Sequence, residues 1–210
     1  MSSGADRYKI VFIEDEKERE KLFKKHKAVC REFCNLCMTG NKEELEKKWE
    51  KKFLPCASVI FKYQDQQTRQ TAIHLAARFN RFDAIEWMAT QDRMREHLRF
   101  YINREDAEGH TPFYLCCSRM KNRELGSSDT MTARARRLGC AKLLLNMYAD
   151  PTKGDEGTKL TPLHWCAINN DVELTSQILY WKPSNQYMVF DEKEGSDDED
   201  KYVGEQLIEE

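Results

Sequence analysis

Thr161-Pro162-Leu163-His164-Trp165-Cys166-Ala167 is the stretch whose reading decides the fold, because the chain contains it in three versions. The other two are Thr71-Ala72-Ile73-His74-Leu75-Ala76-Ala77 and Thr111-Pro112-Phe113-Tyr114-Leu115-Cys116-Cys117. In each, Thr offers a capping hydroxyl, and two versions place Pro at the first helical position, where a missing N–H costs nothing. A pair of small residues follows one turn later and lets another helix approach closely. Behind each version comes a polar break and a second amphipathic run: Arg81 to Thr90, Arg137 to Met147 and Val172 to Tyr180. Ahead of two of them lie Asp106-Ala107-Glu108-Gly109 and Asp155-Glu156-Gly157, which read as turns. The unit is therefore turn, short helix, break, second helix. One unit cannot bury both its faces, so the units must stack.

With these residues in view the chain resembles the ankyrin-repeat family. Asp106-Ala107-Glu108-Gly109-His110-Thr111-Pro112-Phe113, Ala149-Asp150-Pro151 and Thr161-Pro162-Leu163-His164 carry the likeness. Upstream, Phe33 to Leu45 reads as a degenerate fourth unit, with a second helix running through Trp49. The resemblance implies an all-α solenoid of stacked helix pairs with connecting turns or hairpins. Its units fall near 28–54, 66–104, 105–152 and 155–183, inside a domain spanning 28–190. Periods are uneven. Thr71 to Thr111 spans 40 residues and Thr111 to Thr161 spans 50, against about 33 in a regular array. The first excess is expected to extend its unit through Asp92 to Tyr101, and most of the second is an insertion at 120–135. A long polar insertion is inexpensive, since closure entropy grows only with the logarithm of loop length.

Composition frames this reading. At 210 residues the chain is one domain with tails. Its charged residues make up 33%, yet ten Phe, eight Tyr and four Trp exceed what a disordered chain would carry. No apolar stretch approaches the roughly 18 residues of a bilayer span, and Met1 to Arg7 leads into charge, so no secretory leader is expected. Eight cysteines then point to a reducing compartment, and the cytoplasm is the expected location. Net charge is −2, but residues 191–210 hold ten carboxylates against Lys193 and Lys201. That acidic tail of −8 leaves +6 on the preceding 190 residues. It is expected to be disordered. Residues 1–27 form a charged leader, with Glu14 to Lys27 expected as a solvated helix, and Tyr187 to Phe190 is a candidate cover for the last unit.

Several constellations suggest chemistry, and each has a plainer account. His26, Cys30, Cys34 and Cys37 share one helical face. Spread over three turns, they are too far apart for one tetrahedral ion, so buried thiols explain them better than zinc. Cys34-Asn35-Leu36-Cys37 has redox spacing but no preceding strand. His74 and His164 correspond to Tyr114 in the middle unit, which suits a structural role better than a catalytic set. No phosphate-binding, dinucleotide, zinc-protease or nucleophile-elbow motif occurs. The expectation is a non-enzyme, with no catalytic residue, cofactor or metal.

The family's cupped surface is formed by its turns and first helices, and partners of family members dock there. On this chain the matching turn residues are Ala107, Glu108, His110, Thr158 and Lys159; the first-helix ends add Arg78, Phe79, Ser118, Arg119, Ile168 and Asn169. The stretch Arg119 to Arg137 is net +4 and includes Arg134 and Arg136. It reads either as a docking loop for an acidic peptide, a phosphorylated segment, an anionic lipid surface or nucleic acid, or as a solvated linker. Aromatic residues for base stacking are absent from it, so nucleic acid is the weakest of these and is not expected. Ser196 precedes four acidic residues and is a candidate phosphorylation site. A tail folded back on the basic body would compete with acidic peptides, and deleting 191–210 would then strengthen their binding. The expected function is a non-catalytic scaffold that binds a protein partner. The alternative is the cytosolic N-terminal ankyrin module of a larger membrane protein, an ion channel or a protein acyltransferase, serving assembly or gating.

Overall fold

The structure is a computed structural model that describes residues 16–91, 98, 101–118 and 130–181. Residues 1–15 of the leader, 92–97 and 99–100 of the expected extension, Arg119 with residues 120–129 of the insertion, the stretch 182–190 and the acidic tail all lie outside these described residues. Every described element is a helix.

Helix α1 (Glu16–Thr39) runs for 24 residues. The expected solvated leader and the first helix of the first unit are thus one continuous element. Nothing between Lys24 and Arg31 breaks it, and Cys30, Phe33, Cys34 and Cys37 recur at helical spacing to form its buried face. Gly40, at φ 75°, closes it. Helix α2 (Lys42–Lys48) starts where Asn41 Oδ1 accepts the Glu44 N–H at 3.0 Å.

From there the backbone changes pitch twice. Trp49–Phe53 form a π-helical turn, with the Leu54 N–H reaching back to the Trp49 carbonyl. Leu54–Cys56 then tighten to a 3₁₀ turn around Pro55, followed by α3 (Ala57–Ile60). The wide turn lets Trp49 and Phe53 both point inward. Phe33 meets the Phe53 ring edge-on at 5.2 Å and the Phe61 ring at 6.0 Å, while Trp49 meets Trp87 at 5.5 Å. Fully buried aromatic side chains such as these stabilise by about 1.5–3 kcal/mol each.

The remaining helices come in pairs: α4 (Ala72–Arg78) with α5 (Phe82–Thr90), α6 (Pro112–Ser118) with α7 (Thr130–Asn146), and α8 (Pro162–Ile168) with α9 (Val172–Leu179). They pack in two rows. One runs α1, α4, α6, α8, each helix against the next, and the other runs α2, α5, α7, α9. Helix α7 begins at Thr130, about two turns before the expected Arg137, so residues 130–135 of the insertion are helical. Within the second row α5 and α7 come close where Gly139 meets Phe82: a Cβ there would stand 2.8 Å from Phe82 Cδ2.

Three breaks between paired helices share one backbone device. Gly40, Asn80 and Asn170 occupy matching positions at φ 75°, 51° and 50°. After α4, Asn80 N–H bonds Ala77 O and Arg81 N–H bonds Ala76 O; after α8, Asn170 and Asp171 repeat the pattern on Ala167 and Cys166. These paired bonds satisfy the last carbonyls of each helix and need a left-handed residue, for which Gly and Asn are best suited.

Candidate binding surface

The turns that precede α4, α6 and α8 are each folded around one aspartate. Asp65 Oδ1 accepts the N–H groups of Gln67 and Thr68 at 3.0 and 3.1 Å. Asp155 does the same for Gly157 and Thr158, at 3.2 and 3.0 Å. In the shorter middle turn, Asp106 Oδ1 takes those of Glu108 and His110. The bonds from Thr68 and Thr158 hold the carboxyls of Asp65 and Asp155 below the usual carboxylate range. Two residues before each helix cap, Arg69, Gly109 and Lys159 take φ 54°, 81° and 59°. The turn at Asp65 was not recognised in the sequence because Arg69 stands where glycine marks the middle turn. The recoverable signal was the recurring six-residue interval from Asp65 to Thr71 and from Asp155 to Thr161.

Helix entry is equally regular. Thr71 and His74 form a reciprocal capping box, and so do Thr161 and His164. The Thr71 N–H donates to His74 Nδ1 at 3.2 Å, which leaves the ring proton on Nε2, and Nε2–H donates to the Arg104 carbonyl at 2.8 Å. Both nitrogens of His74 are engaged, and burial pushes its pKa down to about 4. A neutral imidazole locked between two units suits the structural role expected for it.

Polar contacts then cross from unit to unit. Arg78 Nη1 donates to Gln70 Oε1 at 3.2 Å, and Gln70 Nε2 donates to Asp106 Oδ2 at 2.8 Å inside the protein. The Ala107 N–H reaches the Thr68 carbonyl of the preceding turn at 2.8 Å. His110 stacks on Tyr114 with ring centroids 4.5 Å apart, and its Nε2 lies 3.7 Å from Asp155. The Tyr114 hydroxyl accepts the Trp165 indole N–H at 2.8 Å, and Asn169 Nδ2 donates to the Cys117 carbonyl. Turns and first-row helices of three units thus share one lattice.

Most of the expected binding residues border this lattice. Phe79 is 41% exposed, with the Arg78 guanidinium 5.8 Å from its ring centroid. Ala107, Glu108, Thr158, Lys159 and Ile168 are exposed, while Arg78, His110, Ser118 and Asn169 are partly covered. Arg134 and Arg136 are exposed too, but they lie on α7 in the second row. Arg119 and Ser196 lie outside the described residues. Gln70 and Asp106 were not singled out from sequence, because a buried Gln–Asp contact has no local signature.

All eight cysteines are free and buried. Cys34 and Cys37 lie buried in the last two turns of α1; burial raises the Cys34 thiol to about 12 and Cys37 well above its ordinary value. His26 Nδ1 sits 3.3 Å from the Sγ of Cys56, thirty residues away. No group of His, Cys, Asp and Glu among the described residues is arranged to hold a metal ion. A cavity of about 220 Å³ lies on the opposite side, floored by Trp49 and Trp87 and rimmed by Glu46, Lys47, Glu50 and Lys51. It is below the roughly 300 Å³ at which small-molecule sites begin. No helix among the described residues is long and apolar enough to cross a membrane.

Neither the protein-family models nor the curated proteins provide a match to this chain.

Proposed function

We propose that the chain is an ankyrin-type repeat module that binds a protein partner on its turn-and-first-helix face and performs no catalysis. The observation that carries this reading is the lattice from Arg78 through Gln70 and Asp106, and from His110 through Tyr114 to Trp165. It holds the turns in fixed relation and leaves Phe79, Glu108, Thr158 and Lys159 facing solvent. Rigid presentation of exposed side chains is what a recognition surface needs, because little entropy is lost on binding. Phe79 supplies an aromatic anchor, and the charged turn residues supply a polar rim.

The test is affinity capture with the intact chain beside two variants. One carries Phe79→Ala with Glu108→Lys, and the other lacks residues 120–129 while keeping helix α7. Loss of a specific partner in the first and retention in the second supports the reading. Retention in the first and loss in the second would move recognition to the basic insertion. Capture of no specific partner by the intact chain would sink the proposal.

A further inference from the structure

Helix α1 has 24 residues where α4, α6 and α8 have seven each. Gly40 and Asn80 close α1 and α4 alike, so the surplus lies at the N-terminal end of α1. It runs beside the first turn. Lys27 Nζ donates to Gln66 Oε1 at 3.0 Å, and the Arg31 charge helps to hold the Asp65 carboxyl of that turn below its usual range.

This added stretch is one-sided in charge. From Lys21 to Arg31 there are five lysines and arginines and no aspartate or glutamate. Cys30, Phe33, Cys34 and Cys37 face the core, while Lys21, Lys24 and Arg31 are exposed on the opposite side of the helix, with Lys25 exposed beside them. Like charges stand three or four residues apart at Lys21–Lys24, Lys21–Lys25, Lys24–Lys27 and Lys27–Arg31, which destabilises a helix. None of the five has a carboxylate three or four residues after it, and only Lys21 and Lys24 have one at that distance before. Glu32 and Glu44 do not relieve the row, because Lys47, Lys48 and Lys52 engage them. A merely solvated helix gains nothing from such a row.

The charge of the face changes along the array. Beyond α4 the turns expose Glu108 and Glu156 beside Lys159, and Glu105 pairs with Lys153 at 3.2 Å. A uniform polyanion laid across the turns would be repelled at its far end, which disfavours a nucleic-acid backbone. No large apolar side chain is exposed among the described residues of α1, which disfavours insertion into an anionic membrane. A polypeptide can be acidic at one end only, and Phe79 offers it an apolar anchor between the two regions.

We infer that the basic row of α1, from Lys21 to Arg31, is the part of the recognition surface that takes an acidic segment of the protein partner. The inference rests on the function proposed above and adds the chemistry and direction of the partner: acidic towards α1, neutral or basic towards α8.

Titration of the full chain with a fluorescent polyglutamate peptide tests it. Lys21→Gln/Lys24→Gln/Lys25→Gln is expected to weaken binding about tenfold, while the same charge change on α7, Arg134→Gln/Arg136→Gln/Lys142→Gln, leaves it within about twofold. Lys21→Arg/Lys24→Arg/Lys25→Arg keeps the parent affinity. No binding by the parent, or equal weakening in both neutralised variants, overturns the inference. So does a DNA duplex or a phosphatidylserine vesicle that binds more tightly than the peptide through the same lysines. In the affinity capture, a partner kept by the neutralised α1 variant but lost with Phe79→Ala/Glu108→Lys overturns this inference and leaves the proposed function standing. Capture of no specific partner sinks the proposed function, while the peptide titration still decides whether α1 prefers an acidic polypeptide.

Discussion

Two helix pairs begin with the same local device and end in different energetic positions. Thr71 with His74 and Thr161 with His164 build the same capping box, and Asn80 and Asn170 close the two first helices in the same left-handed conformation. Yet His74 is fully buried and bonded to the next turn, whereas His164 is exposed. Local sequence sets the box; neighbours set what it contributes. A residue's importance in this molecule follows its place in the stack more than its motif.

The junction into the last pair offers the largest effect. Arg137 is 1% exposed and pairs with Asp171, while its Nε and Nη1 have no hydrogen-bond partner. Asp171 also caps α9 by accepting the Leu174 N–H at 3.2 Å. Asp171→Ala removes the cap and strands a buried guanidinium, and is expected to cost about 3–5 kcal/mol. At the matching position the interior pair has Arg81, which donates to the Met38 carbonyl of the preceding unit. Exchange-detected unfolding of α8–α9 should show the loss confined to the terminal pair; an Asp171→Ala chain as stable as the parent would mean the ion pair contributes nothing net.

Acidification separates the pairs next. Burial holds His74 near pKa 4, against 6.5 for a free imidazole, with the Asp106 charge and the bond to the Arg104 carbonyl opposing the shift and the Arg104 charge reinforcing it more weakly. The unfolded chain then binds the extra proton between those values, so this stability is complete above about pH 6.5 and is lost as pH falls toward 4. The linked loss is about 3 kcal/mol. Urea midpoints measured from pH 7 to 4 should fall less steeply in His74→Gln than in the parent. Equal slopes would show that other groups govern acid sensitivity.

Direct truncation of the two histidines comes third. His74→Ala leaves the Arg104 carbonyl and the Thr71 N–H without their partner inside the protein and should cost about 2–3 kcal/mol. His164→Ala loses only the exposed half of a capping box, about 1 kcal/mol or less. Urea unfolding of the two variants should therefore give unequal losses, and equal ones would contradict the stacking account.

Much of this arrangement is legible in the residues, for identifiable reasons. Capping threonines, prolines at the first helical position and small-residue pairs act within a few residues, so α4, α6, α8 and their partners can be read locally. The fusion of leader and first helix was missed because charge density resembles a solvated segment, whereas the helix is continuous through Cys30 and Phe33. The π and 3₁₀ turns from Trp49 to Cys56 depend on which way Trp49 and Phe53 must face, a tertiary demand with no local period. Among the expected binding residues, exposure at Phe79 and Glu108 could be read from position. The supporting contacts Gln70–Asp106 and His110–Asp155 join residues 36 and 45 apart, a separation no local pattern reports.

The smallest effect compares the turns themselves. Arg69, Gly109 and Lys159 each stand two residues before a capping threonine and each adopts positive φ, but only Gly109 does so without a side chain. A Cβ at Gly109 would meet nothing within 4 Å, so backbone conformation alone separates glycine from other residues there. Arg69 and Lys159 are exposed and lose little packing on truncation. Left-handed non-glycine residues are strained, and relief is partly offset by the greater freedom of glycine in the unfolded chain. Arg69→Gly and Lys159→Gly are therefore expected to stabilise by about 0.5–1 kcal/mol each, and Gly109→Ala to destabilise by a similar amount. For a chain of this size, 1 kcal/mol moves the thermal midpoint by about 2–4 °C, within reach of a melting curve. Upward shifts at 69 and 159 with a downward shift at 109 would show that the three turns share one backbone requirement despite their different residues. A destabilising Lys159→Gly would instead assign its side chain a contact that outweighs the strain.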